Sequence, residues 1–325
     1  LAADKALPGD MVLTVEGIYT KFLNNVYYQN INVDRPTDRA TGTPDNRLIN
    51  YNDRIDGTYG RILLGSNTDK GYTYNLSASL TKNFGFGLQG QLSYSYGDAW
   101  TVYDGTSSQN SSQWRGLHAI NGRNNWNEVQ RSDFAQGSRI LANLTYKKSY
   151  GGFASTHVSL VYEGQSGNPY SYIYGDGDDI GGEDSRNREL IYVPRNASEI
   201  VLVDNFDSDG NLIATAEEQW TNLNSFIEDN DYLSERRGQY AERNQSRTPF
   251  ESIVDLRILQ DFYIEMSNGK KNTLQLSLDI FNFTNLLNKN WGRRYGRQFG
   301  GYEVLQFEGF QDGSNTPTFT FDEFD

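Results

Sequence analysis

The chain has 325 residues, a formal net charge of −13, no cysteine and two histidines. Without cysteine there are no disulfides, thiol chemistry or cysteine-based zinc sites, and His118 and His157 alone cannot build a histidine-rich metal centre. The acidic balance argues against nucleic acid, which needs a basic patch. Only 36% of residues are hydrophobic although 14% are aromatic, which suits strands that are apolar at alternate positions.

No apolar run approaches the ~18 residues of a membrane-crossing helix. "LAADKALPGD" opens abruptly at Leu1 with no signal peptide, as expected of a processed chain or a fragment. The first predicted strand is 11–28, with Met11, Leu13, Val15 and Tyr19 on one face and Thr14, Glu16 and Thr20 on the other. A polar loop over 30–70 follows. Strands 71–84 and 86–98 then form a hairpin about Gly85-Phe86-Gly87. Its even positions include Tyr72, Tyr74, Leu76, Leu80, Leu92, Tyr94 and Tyr96. Its odd positions include Asn75, Ser77, Ser79, Gln91 and Ser93. After a loop over 98–137, strands 138–148 and 153–165 make a second hairpin. A polar region over 166–249 leads to strands 251–265 and 272–284, turning at Asn268-Gly269, and a last loop covers 285–303.

Short turns therefore alternate with long loops, so all short turns lie at one rim and all long loops at the other. Outer-membrane barrels have this asymmetry, with long loops extracellular, whereas a sandwich has no reason to sort its connections by edge. In the first hairpin, aromatic residues bracket an aliphatic middle. The ten steps from Tyr74 to Phe84 extend roughly 33 Å, or roughly 23 Å across a bilayer at a tilt of ~45°, close to the ~25 Å apolar band of such barrels. The fold class predicted is all-β, an antiparallel transmembrane β-barrel in the outer membrane, with lipid as a partner.

Four stretches carry a family resemblance: "EGQSGNPYSYIYG" (163–175), "RELIYVPRN" (188–196), "YLSERRGQYAERNQSRTPF" (232–250) and "DIFNFTNLLNKNWG" (279–292). In order and spacing they resemble the carboxyl-terminal barrel of a TonB-dependent outer-membrane receptor of the Bacteroidota type, SusC-like or Oar-like with a carboxypeptidase-regulatory-like extension. The resemblance implies a plugged barrel of about twenty-two strands that imports a glycan, peptide or siderophore-like nutrient. It implies as partners the receptor's own plug domain, TonB and a surface lipoprotein. The chain supplies seven or eight strands without the plug or the energy-coupling box, and "PTFTFDEFD" is not the usual terminal aromatic strand. It is therefore expected to be a carboxyl-terminal piece. A small independent barrel and an extracellular β-sandwich that binds glycans or cell surfaces remain as alternatives.

Enzymatic chemistry has no motif to support it; acidic pairs such as Asp178-Asp179 and Glu217-Glu218 arise by chance in acidic loops. Trp100, Tyr103, Trp114, Trp126, Tyr170, Tyr172, Tyr174, Trp220 and Tyr232 lie in the polar loops, where aromatics stack on substrate or pack the loops together. Arg236, Arg237 and Arg243 are candidates to meet the plug or a lumen carboxylate, or else form a solvated helical charge run. Asn205, Asp207 and Asp209 before Gly210 resemble the first half of a calcium-binding EF-hand loop. The closing glutamate is displaced, however, with Ala216 in its place and Glu217 one position late, and the competing reading is a solvated Asp/Gly turn. A second acidic candidate is "GDGDDIGGED" (175–184). No cofactor is required, and structural Ca²⁺ in these loops is the one candidate. His157, on the polar face, is expected to make a structural hydrogen bond.

Overall fold

In the computed structural model, residues 1–49, 54–124, 128–175, 180–183, 189–267, 269–296 and 300–321 are described. Strands β1 (Ala2–Leu7) and β2 (Met11–Lys21) are joined by Pro8-Gly9-Asp10, with Gly9 and Asp10 both at positive φ. A ribbon of β3 (Asn25–Asn30) and β4 (Leu63–Thr68) follows, then the long hairpin β5 (Tyr72–Asn83) and β6 (Leu88–Thr101). Helix α1 (Asn110–Arg115) and β7 (Gln130–Arg131) precede a second hairpin, β8 (Gly137–Tyr150) and β9 (Ala154–Gln165). The longest connection contains β10 (Pro169–Tyr174), β11 (Tyr192–Val193), β12 (Asn205–Phe206), β13 (Leu212–Ala214), α2 (Ala216–Glu228), α3 (Asp231–Glu235), β14 (Gln239–Tyr240) and β15 (Ser246–Arg247). The third hairpin is β16 (Glu251–Glu265) and β17 (Lys271–Ile280), followed by α4 (Phe283–Leu287), β18 (Gly301–Phe310) and β19 (Pro317–Thr320).

Eight strands form one antiparallel wall in the order β1-β2-β5-β6-β8-β9-β16-β17, with β7 beside the top of β6. Each short turn hydrogen-bonds to its neighbour along one rim: Asn83 N–H to Asp10 C=O at 3.2 Å, Lys147 N–H to Gly87 C=O at 2.8 Å and Tyr263 N–H to Phe153 C=O at 2.7 Å. Gly87, at φ 93°, has to be glycine, because a Cβ there would lie 2.3 Å from the Lys147 carbonyl oxygen. The long connections all leave the opposite rim.

Residues paired straight across the wall run Leu13, Leu80, Leu92, Ala142, Tyr162 and Val254. Leu13 is two residues from the short-turn end of β2, whereas Val254 is eleven from that end of β16. This climb is the stagger of strands tilted to a barrel axis. Along the same face, large apolar side chains stay exposed, with Leu76 at 58%, Leu92 at 55% and Leu278 at 54%. The opposite face carries the polar column, so the wall is apolar on its outside.

The core lies elsewhere. Tyr172, Tyr174, Ile191, Val193, Leu223, Ile227, Val304, Phe307 and Phe319 form one buried cluster above the wall, built from β10, β11, α2, β18 and β19. In this cap β10 pairs with β15 and, in parallel, with β18, which pairs with β19. Helix α2 starts with a capping box: the Thr215 side chain accepts from Glu218 N–H while Glu218 accepts from Thr215 N–H.

Several boundaries differ from the sequence reading. The strand expected over 11–28 ends at Lys21, and β3 leaves the wall to pair with β4. Its apolar phase slips from odd positions (Leu13, Val15, Tyr19) to even ones (Phe22, Val26, Tyr28), and a period-two strand cannot continue through such a slip. β1 was not anticipated. The strand expected over 272–284 stops at Ile280, because Asn282 adopts a left-handed conformation (φ 53°) and opens α4. The regions read as loops over 30–70, 98–137 and 166–249 hold ordered ribbons, helices and the cap core. The loop expected over 285–303 begins in α4 and ends in β18. At the third turn Gly269 has φ 75°, as that turn needs, while Asn268 lies outside the described residues.

Candidate functional site: lumen wall and loop cap

Alternation places one set of wall side chains inward, and these are joined by cross-strand polar contacts. Thr145 and Ser159 hydroxyls meet at 2.9 Å, Arg139 Nε donates to Glu163 at 3.1 Å and Arg257 Nε to Asp279 at 3.1 Å. Toward the short-turn rim, Asp261 accepts from Gln275 Nε2 at 2.8 Å, Ser155 Oγ at 3.2 Å and the Tyr263 hydroxyl at 3.3 Å. His157 Nε2 lies 3.3 Å from the same carboxylate. Ser155 also approaches Nε2, at 3.3 Å. A nucleophilic relay needs serine and carboxylate on opposite ring nitrogens, so the three residues do not form one. The structural bond expected of His157 is present.

Above this wall the cap is held by a buried ion pair that sequence reading missed. Arg47, fully buried, pairs with Asp45 at 2.9 Å, donates to Leu190 C=O at 3.1 Å and to the Tyr174 hydroxyl at 3.2 Å, and lies 4.7 Å from the Tyr174 ring centroid. Burial drives the Tyr174 phenol well above its ordinary pKa despite the neighbouring guanidinium. Nearby, burial and the Glu199 carboxylate push the Tyr192 phenol up to about 12. Asp45 is a local partner, two residues away, but Tyr174 and Leu190 lie more than a hundred residues along the chain, so no local pattern announces the buried site.

The loop aromatics are mostly packing residues. Tyr172 is 2% exposed and stacks on Tyr232 at 6.2 Å; Tyr174, 1% exposed, stacks on Phe319 at 4.9 Å; Tyr170 is buried beside Tyr172. Trp114 is buried and its Nε1 donates to Asn124 Oδ1 at 3.0 Å. Trp100 carries the Arg131 guanidinium 5.5 Å above its ring. Trp220, half-buried, borders a surface groove with Ile200, Leu202 and Glu217. Trp126 lies outside the described residues, as do Asp178 and Asp179.

Tyr103 lines an open cleft over the wall. About 370 Å³ in volume, the cleft is bounded by Phe22, Tyr28, Tyr103, Phe134, Asp104 and Gln113 from the cap connections and by Thr73, Ala99 and Thr101 on the inward face of β5 and β6. The Tyr103 hydroxyl, buried, has no hydrogen-bond partner among the described residues. Phe22, Tyr28, Asp104 and Phe134 share no motif in the sequence, because three separate segments bring them together.

The three arginines anticipated at the plug or lumen tie the cap to itself. Arg243, buried, bonds Asp104 and lies 3.2 Å from Asp133. Arg236 bonds Tyr240 C=O at 2.9 Å and Glu242 at 3.0 Å. Arg237 donates to Asn224 Oδ1 at 2.8 Å and Pro194 C=O at 3.1 Å. They also lie beyond α3, which ends at Glu235, so they form no helical charge run.

The stretch read as half an EF-hand is the turn of the β12–β13 hairpin. Asp207 accepts from the N–H groups of Asp209 at 2.9 Å and Asn211 at 2.8 Å, and from Asn211 Nδ2 at 3.0 Å, which lowers its pKa. Its oxygens close the turn; Asn205 belongs to β12 and Asp209 sits within the turn. Among the described residues no group of three or more acidic or histidine side chains is placed to hold a metal.

No curated protein and no solved structure matches the chain. The family model of the outer membrane beta barrel domain matches residues 1–299, a span that contains every wall strand. The exposed apolar face is therefore the lipid face and the polar column the lumen face, with the protein resident in the outer membrane. The chain belongs to the outer membrane beta barrel domain family.

Proposed function

We propose that the chain is the carboxyl-terminal portion of a plugged, TonB-dependent transporter of the SusC-like or Oar-like type, importing a nutrient across the outer membrane. The observation that carries this reading is the pair of wall edges: among the described residues, β1 and β17 each have one neighbour in the sheet. Within hydrocarbon an open edge leaves a row of N–H and C=O groups unsatisfied, each at a cost of several kcal/mol, so lipid-exposed edges do not persist. Further strands, carried by the same receptor outside this chain, complete the wall toward about twenty-two. The polar lumen face then receives the plug, TonB acts through that plug, and the cap cleft beside Tyr103 accepts the nutrient. A surface lipoprotein on the cap belongs to the same proposal. Catalysis does not.

Closure of the eight strands on themselves would instead bring β1 against β17. Cysteines introduced at Asp4 and Thr273, in a chain with none of its own, test the two arrangements. The transporter reading predicts no disulfide between them in outer membranes, and uptake that stops when the inner-membrane proton gradient is dissipated. A ready β1–β17 disulfide, or uptake indifferent to the gradient, would overturn it.

A further inference from the structure

We propose that the segment following β17, over 281–296, forms with the outer face of β16 a site for the phosphate-bearing headgroup of an outer-leaflet lipid. The first observation is charge. From Ile280 to Tyr302 there is no Asp or Glu, in a chain of net charge −13, while Lys289, Arg293 and Arg294 fall within six residues. All three are exposed, and none is paired with a carboxylate among the described residues. The guanidinium of Arg293 donates instead to Lys289 C=O at 3.3 Å and to the Asn290 side chain.

The second observation is place. Above Ile280 the chain leaves β17 and covers the top of β16. There Phe250, Ser252 and Val254, in phase with the lipid-facing Leu256, frame a cleft of about 270 Å³ with Thr284, Trp291, Arg293 and Tyr295. Leu286, Leu287 and Trp291 are exposed beside it. Aromatic and cationic side chains at the end of an apolar band make up a membrane-interface composition, and the cations complement anionic headgroups.

The third observation is that the segment is built rather than draped. Asn282 N–H donates to Asp255 at 2.7 Å and its side chain to Gly292 C=O at 2.9 Å. Asn285 Nδ2 donates to Trp291 C=O at 2.8 Å, and Tyr295 N–H to Glu251 at 2.9 Å. These bonds hold the backbone that carries Trp291 and the cations against the rim, so little backbone ordering remains for a lipid to induce. Acyl chains lie along Phe250 and Val254, and the phosphate sits among Lys289, Arg293 and Arg294.

The test places the intact protein in nanodiscs of phosphatidylcholine containing a minor fraction of dansyl-labelled phosphatidylglycerol or dansyl-labelled phosphatidylcholine. Energy transfer from Trp291 is read, with Trp291→Phe as the blank. Labelled phosphatidylglycerol is expected to be enriched over labelled phosphatidylcholine, and the enrichment to fall as salt is raised. Lys289→Gln/Arg293→Gln/Arg294→Gln is expected to lose that preference by on the order of 100-fold, about fivefold per charge at an anionic surface. Equal transfer from both lipids, a salt-independent preference or an unchanged preference in the triple variant would overturn the proposal, as expected if another protein segment covers the patch. The salt titration uses the unsubstituted protein, so it decides the matter even if the triple variant fails to insert.

Discussion

Wall and cap are made from similar residues facing opposite ways. In the wall, Leu76, Leu92 and Leu278 stand exposed while Ser, Thr, Gln and charged pairs bond across the other face. In the cap, Leu223, Ile227, Val193 and Phe319 turn inward, and polar residues either reach the surface or are paired, as Arg47 is. The solvent outside each region sets the direction. Lipid gains nothing from being excluded, so the wall coheres through interstrand hydrogen bonds, whereas water around the cap drives apolar burial.

Substitutions should therefore rank differently in the two regions. The largest effect is expected for Arg47→Ala, which leaves Asp45 buried without its partner at a cost of about 3–5 kcal/mol. Limited proteolysis should then open the cap while the wall stays resistant; a wall that fails together with the cap would show that the regions are not separable. Leu92→Arg, on the lipid face of β6, is expected to cost about 2–4 kcal/mol in bilayer unfolding titrations. Ser93→Arg, one residue away on the lumen face, should cost far less. Comparable losses at both positions would erase the contrast.

Smaller effects sharpen the cap side. Thr215→Ala removes the N-cap of α2 and should cost about 1 kcal/mol, measured on cap unfolding. Hydrogen bonds from the Thr215 backbone and hydroxyl hold the Glu218 carboxyl below its ordinary range. With its folded pKa depressed, Glu218 contributes stability above the usual carboxylate pKa, and that contribution is lost as pH falls through the folded value. Amide exchange at the start of α2 should accelerate over this acidic window in the unsubstituted protein, and Glu218→Gln should flatten the dependence.

The same contrast explains what the sequence discloses. The hairpins β5–β6, β8–β9 and β16–β17 are local and two-faced, so period-two alternation and Gly-containing turns reveal them within a few residues. β1 escapes because "AADKAL" has no apolar phase of its own and becomes a strand by pairing with β2. The cap escapes because its order comes from distant segments: β10 meets β18 in parallel across more than a hundred residues, and Arg47 meets Leu190 C=O and Tyr174. Hence Tyr170, Tyr172 and Tyr174, which the sequence leaves open between binding substrate and packing the loops together, lie in the cap core, and the cleft beside Tyr103 gathers residues that no motif links. The parity slip between Tyr19 and Val26 is a local clue to where β2 leaves the wall.

A single-cysteine scan along 72–96 tests most directly which face of the wall meets lipid, and the chain has no native cysteine to confuse it. In intact outer membranes, cysteines at Leu76, Leu80 and Leu92 should react with a bilayer-soluble maleimide and resist a charged one. Cysteines at Ser77, Ser79 and Ser93 should do the reverse, giving a strict period of two. Even positions that resist both reagents as a buried protein core does, with no lipid-phase labelling, would contradict the account.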